Sequence, residues 1–136
     1  MGKNFAKNHI KIGLICGGPS MERGISLNSA RSVIDHLESE EIKILPFYFD
    51  SKRKPHKISK AQLYSNTPSD FDFKLQQTAT PLDEKTLIRL LKTADIIFPV
   101  MHGPFGEDGE IQRFLEKHNL PFVGSGSEAC KRAFDK

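Results

Sequence analysis

Two kinds of hydrophobic pattern follow one another along the chain, and together they predict an alternation of strands and helices. Short, dense apolar runs predict buried strands. Segments in which apolar residues return every three or four positions predict helices with one buried face. The predicted strands are 10–16, 42–49, 96–100 and 121–123, and the predicted helices are 25–37, 83–92, 110–117 and 127–133.

The order of these elements predicts an α/β protein with an open, doubly wound and mostly parallel sheet. Helices that connect successive strands favour parallel pairing and right-handed crossovers. The strand 10–16 is almost entirely apolar, so we expect it in the middle of the sheet with helices over both faces. Pro46 cannot donate a ladder hydrogen bond, and we therefore expect the strand 42–49 at a sheet edge or with a bulge.

The length of 136 residues suits one domain with one core. Residues 1–9 are mostly polar and are expected to form a flexible leader, so that the domain covers 10–134. Within it, the stretch 50–80 holds prolines, serines and threonines and only short apolar pieces. Because long loops are unusual inside a compact domain, we interpret this stretch as an irregular insertion.

Composition and charge exclude several classes of protein. Hydrophobic residues make up 38% and charged residues 27%, as in ordinary soluble domains. The net charge of +3, with scattered lysines and one basic run at 52–54, gives no reason to expect a nucleic-acid partner. No apolar stretch reaches the length of a membrane span. Cys16 and Cys130 lack metal-binding or redox spacing, so we expect reduced thiols and a cytoplasmic protein.

Candidate chemistry lies in the Gly-rich turns at 17–26, 101–109 and 124–127, which follow predicted strands. The carboxyl ends of parallel strands meet at one sheet edge, where open α/β sheets bind ligands. Two of these turns lead into helix N-termini, whose free N–H groups and dipole attract anions. We therefore expect a substrate site at this edge, with five charged or titratable candidates, namely Glu22, Arg23, His102, Glu107 and Asp108.

Each of these candidates also has a purely structural interpretation. Glu22 can hold a substrate ammonium group, but a carboxylate at that position also favours the start of a helix or pairs with Arg23, and spacing alone favours this second interpretation. His102 can bond a backbone carbonyl. Glu107 and Asp108 can be first-turn acids of the next helix, and the Gly-rich spacing does not favour a preformed metal site.

The glycines after the first strand do not form a nucleotide-binding motif. Their spacing differs from G-x-G-x-x-G, and Pro19 interrupts the turn. A P-loop with Gly-Lys-Ser/Thr is also absent from the sequence. The sequence therefore predicts no nucleotide-phosphate site in this chain.

Three motifs, taken in order, resemble those of the D-alanine–D-alanine ligases, which are ATP-grasp ligases. Residues 17–26 are similar to the signature G-G-x-S-x-E-R-x-[VI]-S. Residues 102–112 resemble H-G-x-x-G-E-D-G-x-[IL]-Q, and 122–126 followed by 135–136 resemble [YF]-x-G-S-G…D-K. Gly24 stands where an acid is common in the family, which we expect to loosen the start of the helix 25–37.

The resemblance implies an enzyme that joins two D-alanines for peptidoglycan synthesis, and hence for cell wall biogenesis and cell shape. ATP phosphorylates the carboxylate of the first D-alanine, the amine of the second attacks the acyl phosphate, and phosphate is expelled. By position, Glu22 is the catalytic acid that holds the first ammonium, His102 lies beside the first carboxylate, and Ile25 and Ser26 wall the site. The implied loop-shaping residues are Gly17, Gly18, Gly103, Gly106, Glu107, Asp108 and Gly109.

The resemblance also implies that the chain is the N-terminal substrate domain alone, of the Rossmann-like pre-ATP-grasp type. Residues 135–136 match the start of the linker to ATP-grasp domains that carry ATP and magnesium or manganese. We expect the chain itself to bind neither ATP nor metal and to be inactive alone. Its implied partners are D-alanine, its own ATP-grasp domains and a second copy in a homodimer.

Two alternatives stay open at this point. One is the N-domain of another ATP-grasp carboxylate–amine ligase, which a substrate screen with D-lactate and D-serine would distinguish. The other is a stand-alone binding domain without catalysis. No residue pattern in the chain separates these alternatives from the first interpretation.

Overall fold

The computed structural model describes residues 9–19, 23–65, 80–100, 109–124 and 126, and at 23–25 and 65 the backbone alone. The helices predicted at 25–37, 83–92 and 110–117 are confirmed, whereas the one predicted at 127–133 lies outside these ranges. The strands are β1 (Ile10–Gly17), β2 (Ile42–Phe49), β3 (Pro55–Lys57), β4 (Thr80–Pro81) and β5 (Ile96–Pro99), and the helices are α1 (Arg23–Leu37), α2 (Lys60–Ser65), α3 (Glu84–Leu91) and α4 (Glu110–Lys117).

The sheet has the strand order β4-β3-β2-β1-β5. β1 pairs in parallel with both β2 and β5, while β3 and β4 extend the sheet with antiparallel pairing. The predicted parallel sheet is therefore confirmed for β2, β1 and β5. The strand predicted at 121–123 is reduced to an isolated parallel bridge between Ile97 and Phe122.

Helices cover both faces of the sheet, as predicted. β1 is inside the sheet, and its side chains alternate between two apolar clusters. Leu14 and Cys16 pack with Leu27 and Ala30 of α1 on one face, while Ile15 packs with α3 and α4 on the other. Burial of each large apolar side chain contributes about 1.5–3 kcal/mol, so this two-sided core accounts for the fixed position of β1.

The expectation that β2 is an edge strand is wrong, and its register against β1 runs unbroken from Ile42 to Phe49. Pro46 is tolerated because of where it lies in the ladder with β3. The Pro46 carbonyl accepts a hydrogen bond from the Ile58 amide at 3.5 Å, one position beyond Phe47 and Lys57, the last residue pair of the β2–β3 ladder. The proline ring cannot return that bond, so Pro46 ends the β2–β3 ladder without interrupting the one with β1.

The described part of the stretch 50–80 is more regular than the predicted irregular insertion. It contains β3, α2 and the first residue of β4, while 66–79 lies outside the described ranges. Asp50 shapes the turn into β3, because its Oδ1 accepts hydrogen bonds from the amides of Lys52 at 2.8 Å and Lys54 at 2.9 Å. These local hydrogen bonds are not accompanied by any apolar periodicity, so the hydrophobic pattern of the sequence does not predict the turn.

Two helix ends are closed by specific capping residues. Asp83 is the N-cap of α3, and its Oδ1 accepts a hydrogen bond from the Thr86 amide at 2.7 Å. Asn119 follows α4 with a φ of 58°, and the Leu120 amide donates to the Leu115 carbonyl at 2.9 Å. This is the Schellman arrangement that closes a helix. Within the described ranges, no helix is long and apolar enough to cross a bilayer.

Candidate functional site

The carboxyl ends of β1 and β5 define the place where a ligand is expected. From β1 the chain passes through α1 to β2 on one side, whereas β5 pairs with the other side of β1. The order of the parallel strands thus reverses between β1 and β5. In open α/β sheets such a switch point leaves a crevice beyond the strand ends, and ligands bind there. Gly17, at the end of β1, and Val100, directly after β5, flank this crevice.

Two glycines turn the chain sharply at the end of β1. Gly17 and Gly18 have φ values of 91° and 105°, which non-glycine residues rarely adopt. A Cβ on Gly17 would lie closer than 3.0 Å to the Phe49 carbonyl oxygen and to the Tyr48 ring. The Gly18 amide donates to the same Phe49 carbonyl at 2.7 Å. The turn is therefore held against the end of β2, and position 17 requires glycine.

Ser26 links the ends of β1 and β5 from within α1. Its hydroxyl donates to the Val100 carbonyl at 2.5 Å and accepts from the Gly17 amide at 2.9 Å. The residue is completely buried, with 0% of its surface exposed. A serine hydroxyl has one donor and two acceptor positions, so these two bonds use its only donor. One side chain thus fixes the two strand ends that flank the crevice.

Gly109 sits at the N-cap of α4 with a φ of 98° and no side-chain cap hydrogen bond. The positive φ explains the glycine at this position. In the helix that follows, Ile111 and Leu115 are completely buried. The amide of Arg113 donates to the Gly109 carbonyl at 2.9 Å, which closes the first turn. Gly109 therefore begins a helix whose first turns pack into the core.

A second concave feature, a cavity of about 300 Å³, lies beside the carboxyl end of β2. Its floor is largely apolar, with Phe49, Leu87 and Phe114 among the lining residues. The guanidinium of Arg53 lies 3.5 Å from the Glu110 carboxylate at its margin. This cavity is not evident from the sequence, because its lining comes from four elements and one turn and carries no common motif.

Most of the residues that the resemblance assigned to the site are not among those described. Within the described ranges, no group of three or more His, Cys, Asp or Glu side chains is placed to hold a metal ion. Of the assigned residues, Ile25 is described by its backbone in α1 alone. The assigned residues outside the described ranges are Glu22, His102, Gly103, Gly106, Glu107 and Asp108. Their roles stay predictions.

The bonds of Ser26 were missed by sequence reasoning. Val100 is 74 positions away in the chain, and an apolar residue at a strand end carries no sign that its carbonyl accepts a side-chain bond. The available signal was a serine on the otherwise apolar face of α1, beside Leu27 and Ala30, which are also buried. A polar residue on a buried helix face needs a hydrogen-bond partner, which points to a specific contact.

An open sheet with a glycine turn after β1, at the β1/β5 switch point, defines a domain of the doubly wound α/β class. Residues 11–125 match the sequence model of the family described as D-ala D-ala ligase N-terminus. The chain belongs to this family of ligase N-terminal domains.

Individual relatives agree with this assignment. The chain is 32% identical over 138 residues to D-alanine--D-alanine ligase A of Escherichia coli K12, with 93% of this chain and 38% of that protein covered. Among solved structures, the D-alanine-D-alanine ligase of Coxiella burnetii superposes with a TM-score of 0.74 at 25% identity, covering 91% and 37% of the two chains. The VanG D-Ala:D-Ser ligase of Enterococcus faecalis gives 0.72 at 25% identity, covering 90% and 38%. The chain thus spans less than two fifths of the length of these relatives.

Proposed function

We propose that the chain is the N-terminal substrate domain of a D-alanine–D-alanine ligase and contributes the site for the first D-alanine. The observation that supports this most strongly is the family match over residues 11–125. The glycine turn and the Ser26 contacts at the switch point support the placement of the site between the ends of β1 and β5. The product of the whole enzyme is the D-alanyl-D-alanine dipeptide used in peptidoglycan.

In this proposal the domain holds the zwitterion of D-alanine by both of its charges. The Glu22 carboxylate binds the ammonium group, and His102 lies beside the substrate carboxylate. The first turn of α1 contains no acidic residue, so its free N–H groups and positive dipole end support the same carboxylate. Ile25 contributes an apolar wall for the small side chain. Held at both ends, the carboxylate faces the part of the enzyme that transfers the phosphoryl group.

ATP and magnesium or manganese act, in this proposal, on domains other than this one. Phosphoryl transfer needs cationic groups and a metal around the phosphates. The described side chains offer no metal-binding cluster, so we assign no step involving ATP or metal to them. The chain by itself is therefore expected to release no phosphate. In the complete enzyme, we further propose that two copies associate as a homodimer.

The proposed site does not determine the identity of the second amino acid, because it binds the first. The likeness to a D-Ala:D-Ser ligase, with a TM-score of 0.72, favours a second candidate function in which D-serine is the acceptor. Both candidates share the proposed first site. The identity of the acceptor is decided by whichever residues contact the second amino acid.

A phosphate-release assay on the protein expressed from its full reading frame tests the proposal. D-Alanine with ATP and magnesium should give steady turnover and the D-alanyl-D-alanine dipeptide by mass spectrometry. Parallel reactions with D-alanine plus D-serine or D-lactate identify the preferred acceptor. Residues 1–136 alone should give no turnover. Sustained phosphate release from them would contradict the proposal that ATP and metal act on other domains.

A further inference from the structure

Ser26 stands out among the site residues because its hydroxyl is bonded on both sides and sealed from solvent. The Val100 carbonyl and the Gly17 amide lie 2.5 and 2.9 Å from its Oγ. None of its surface is exposed. A ligand in the crevice would have to break the hydrogen bond from the Gly17 amide or the one to the Val100 carbonyl before it could reach this hydroxyl. The geometry therefore points away from a direct contact with substrate.

The three bonded positions lie close in sequence to the two residues proposed to bind D-alanine. Glu22 falls between Gly17 and Ser26 in the chain, and His102 comes two positions after Val100. The amide of Val100 also donates to the Ile15 carbonyl at 2.8 Å, which ties the end of β5 to β1. One hydroxyl thus fixes the positions from which both substrate-binding segments leave the sheet.

We infer that Ser26 is a positioning residue, whose hydroxyl sets the spacing between the Glu22 and His102 segments without touching the substrate. This inference rests on the proposed function, and it differs from the direct role in the site wall that the resemblance implies. Removal of the hydroxyl leaves the Gly17 amide and the Val100 carbonyl without that partner, so the two segments lose their common attachment. Small displacements of groups that orient a substrate reduce turnover strongly.

Three variants of the full-length protein test the inference. Ser26→Ala removes the hydroxyl, and Ser26→Cys retains a side chain of similar size whose thiol is a weak donor and acceptor. Ser32→Ala is the matched control, because Ser32 lies on the same helix and is exposed, with its hydroxyl 3.3 Å from His36 Nδ1. All variants are compared well below their thermal midpoints, so that differences in the folded fraction do not enter the kinetics.

The inference predicts a selective kinetic defect. In Ser26→Ala the kcat/KM for the first D-alanine should fall roughly 100-fold, with Ser26→Cys in between and Ser32→Ala unchanged. The KM for the second amino acid should stay within about twofold, since its site is elsewhere. If folded Ser26→Ala and Ser26→Cys both keep wild-type kinetics, Ser26 only stabilises the fold and the inference is overturned.

Thiol labelling separates positioning from direct contact. The Ser26→Cys variant is prepared in a Cys130→Ala background, and Cys16 is completely buried and serves as the internal unreactive thiol. A buried positioning residue should resist labelling with and without D-alanine. Labelling at position 26 that D-alanine prevents would show a direct contact with substrate and would overturn the inference.

Hydrogen exchange tests the positioning role of Ser26 even if the proposed function is wrong. If the wild-type protein makes no dipeptide from D-alanine, the proposed function is wrong, but the attachment made by Ser26 can still be measured. Exchange in 17–25 and 100–109 should accelerate in Ser26→Ala and Ser26→Cys, and should be unaffected in Ser32→Ala. Unchanged exchange in both segments would refute the positioning role independently of any activity.

Discussion

The α-carbon of Gly17 faces the carbonyl oxygen of Phe49 so closely that no β-carbon fits between them. The clash distance for an added Cβ is below 3.0 Å, and the Tyr48 ring is equally close. The neighbouring Gly18 amide uses the same Phe49 carbonyl as its acceptor, at 2.7 Å. The end of β1 is thus pressed against the end of β2, on the side of β1 opposite the Ser26 link to β5. The crevice between β1 and β5 takes its shape from both contacts.

Gly17→Ala should destabilise the protein by roughly 2–5 kcal/mol, because backbone strain at a φ of 91° adds to a clash with backbone that cannot move aside. Urea denaturation of the purified variant measures this directly. The matched control is Gly124→Ala, where φ is 120° but an added Cβ meets nothing within 4 Å. That control should lose less, about 1–3 kcal/mol, for strain alone. Equal losses in the two variants would show that the Phe49 contact is unimportant.

The Cys16 thiol should make the fold less stable at alkaline pH. Burial raises its pKa to about 12, with Arg31 opposing the shift. The unfolded thiol ionises near its ordinary pKa of about 8.5, whereas the folded thiol keeps its proton. This contribution to stability is therefore complete below pH 8.5 and is lost as pH rises toward 12, at about 1.4 kcal/mol per pH unit.

The measurement for Cys16 is urea denaturation of wild type and Cys16→Ala at neutral pH and near pH 10. The wild type should lose more stability than the variant between the two conditions, since the other titrating groups are common to both proteins. The Cys16 thiol should also resist thiol reagents until the protein unfolds. If wild type and Cys16→Ala lose equal stability between the two pH values, the result would contradict the burial of the Cys16 thiol.

The Asp50 carboxylate should stabilise the β2–β3 turn at neutral pH and lose that effect in acid. Burial acts to raise its pKa, but hydrogen bonds from His56 and from the amides of Lys54 and Lys52 outweigh it, so the pKa is lowered. A lowered pKa gives stability that is present above the unfolded value of about 3.9 and is lost as pH falls through the folded value.

Asp50→Asn tests this, because the amide keeps one acceptor oxygen and removes the charge. The variant should lose roughly 1–2 kcal/mol at pH 7, as measured by urea denaturation. The difference from wild type should shrink as pH falls below about 4 and through the lowered pKa of folded Asp50, where the wild-type carboxylate also becomes neutral. Glu40→Gln, at an exposed position, provides a control for the loss of one negative charge. A difference between Asp50→Asn and wild type that is independent of pH would exclude the charge as its origin.

Asn119 offers a stabilising substitution at the end of α4. Its φ of 58° lies in the left-handed region, where glycine carries no Cβ penalty. Asn119→Gly should therefore be neutral or more stable by up to about 1 kcal/mol, and Asn119→Val should lose at least about 1 kcal/mol. Thermal denaturation of both variants measures the order. If valine is tolerated as well as glycine, the helix does not end in the left-handed conformation described.

The sequence predicted the layers of the fold well, because they depend on long apolar patterns. The helix at Glu84–Leu91 follows from apolar periodicity, and the interior position of β1 follows from its dense apolar run. The position of β2 was mispredicted because Pro46 was expected to disrupt an interior strand, whereas its missing donor falls where β3 stops pairing. The contacts of Ser26 depend on a carbonyl far along the chain and are visible only when the strands are in place.

The proposal that this domain captures the first D-alanine is tested most directly by one kinetic constant. We would measure the KM for the first D-alanine in the full-length Glu22→Gln enzyme, with Glu40→Gln as the charge-matched control. Loss of a carboxylate that binds an ammonium group should raise this KM by roughly 30-fold or more, while the control stays at the wild-type value. A Glu22→Gln enzyme with the wild-type KM for the first D-alanine would contradict the account.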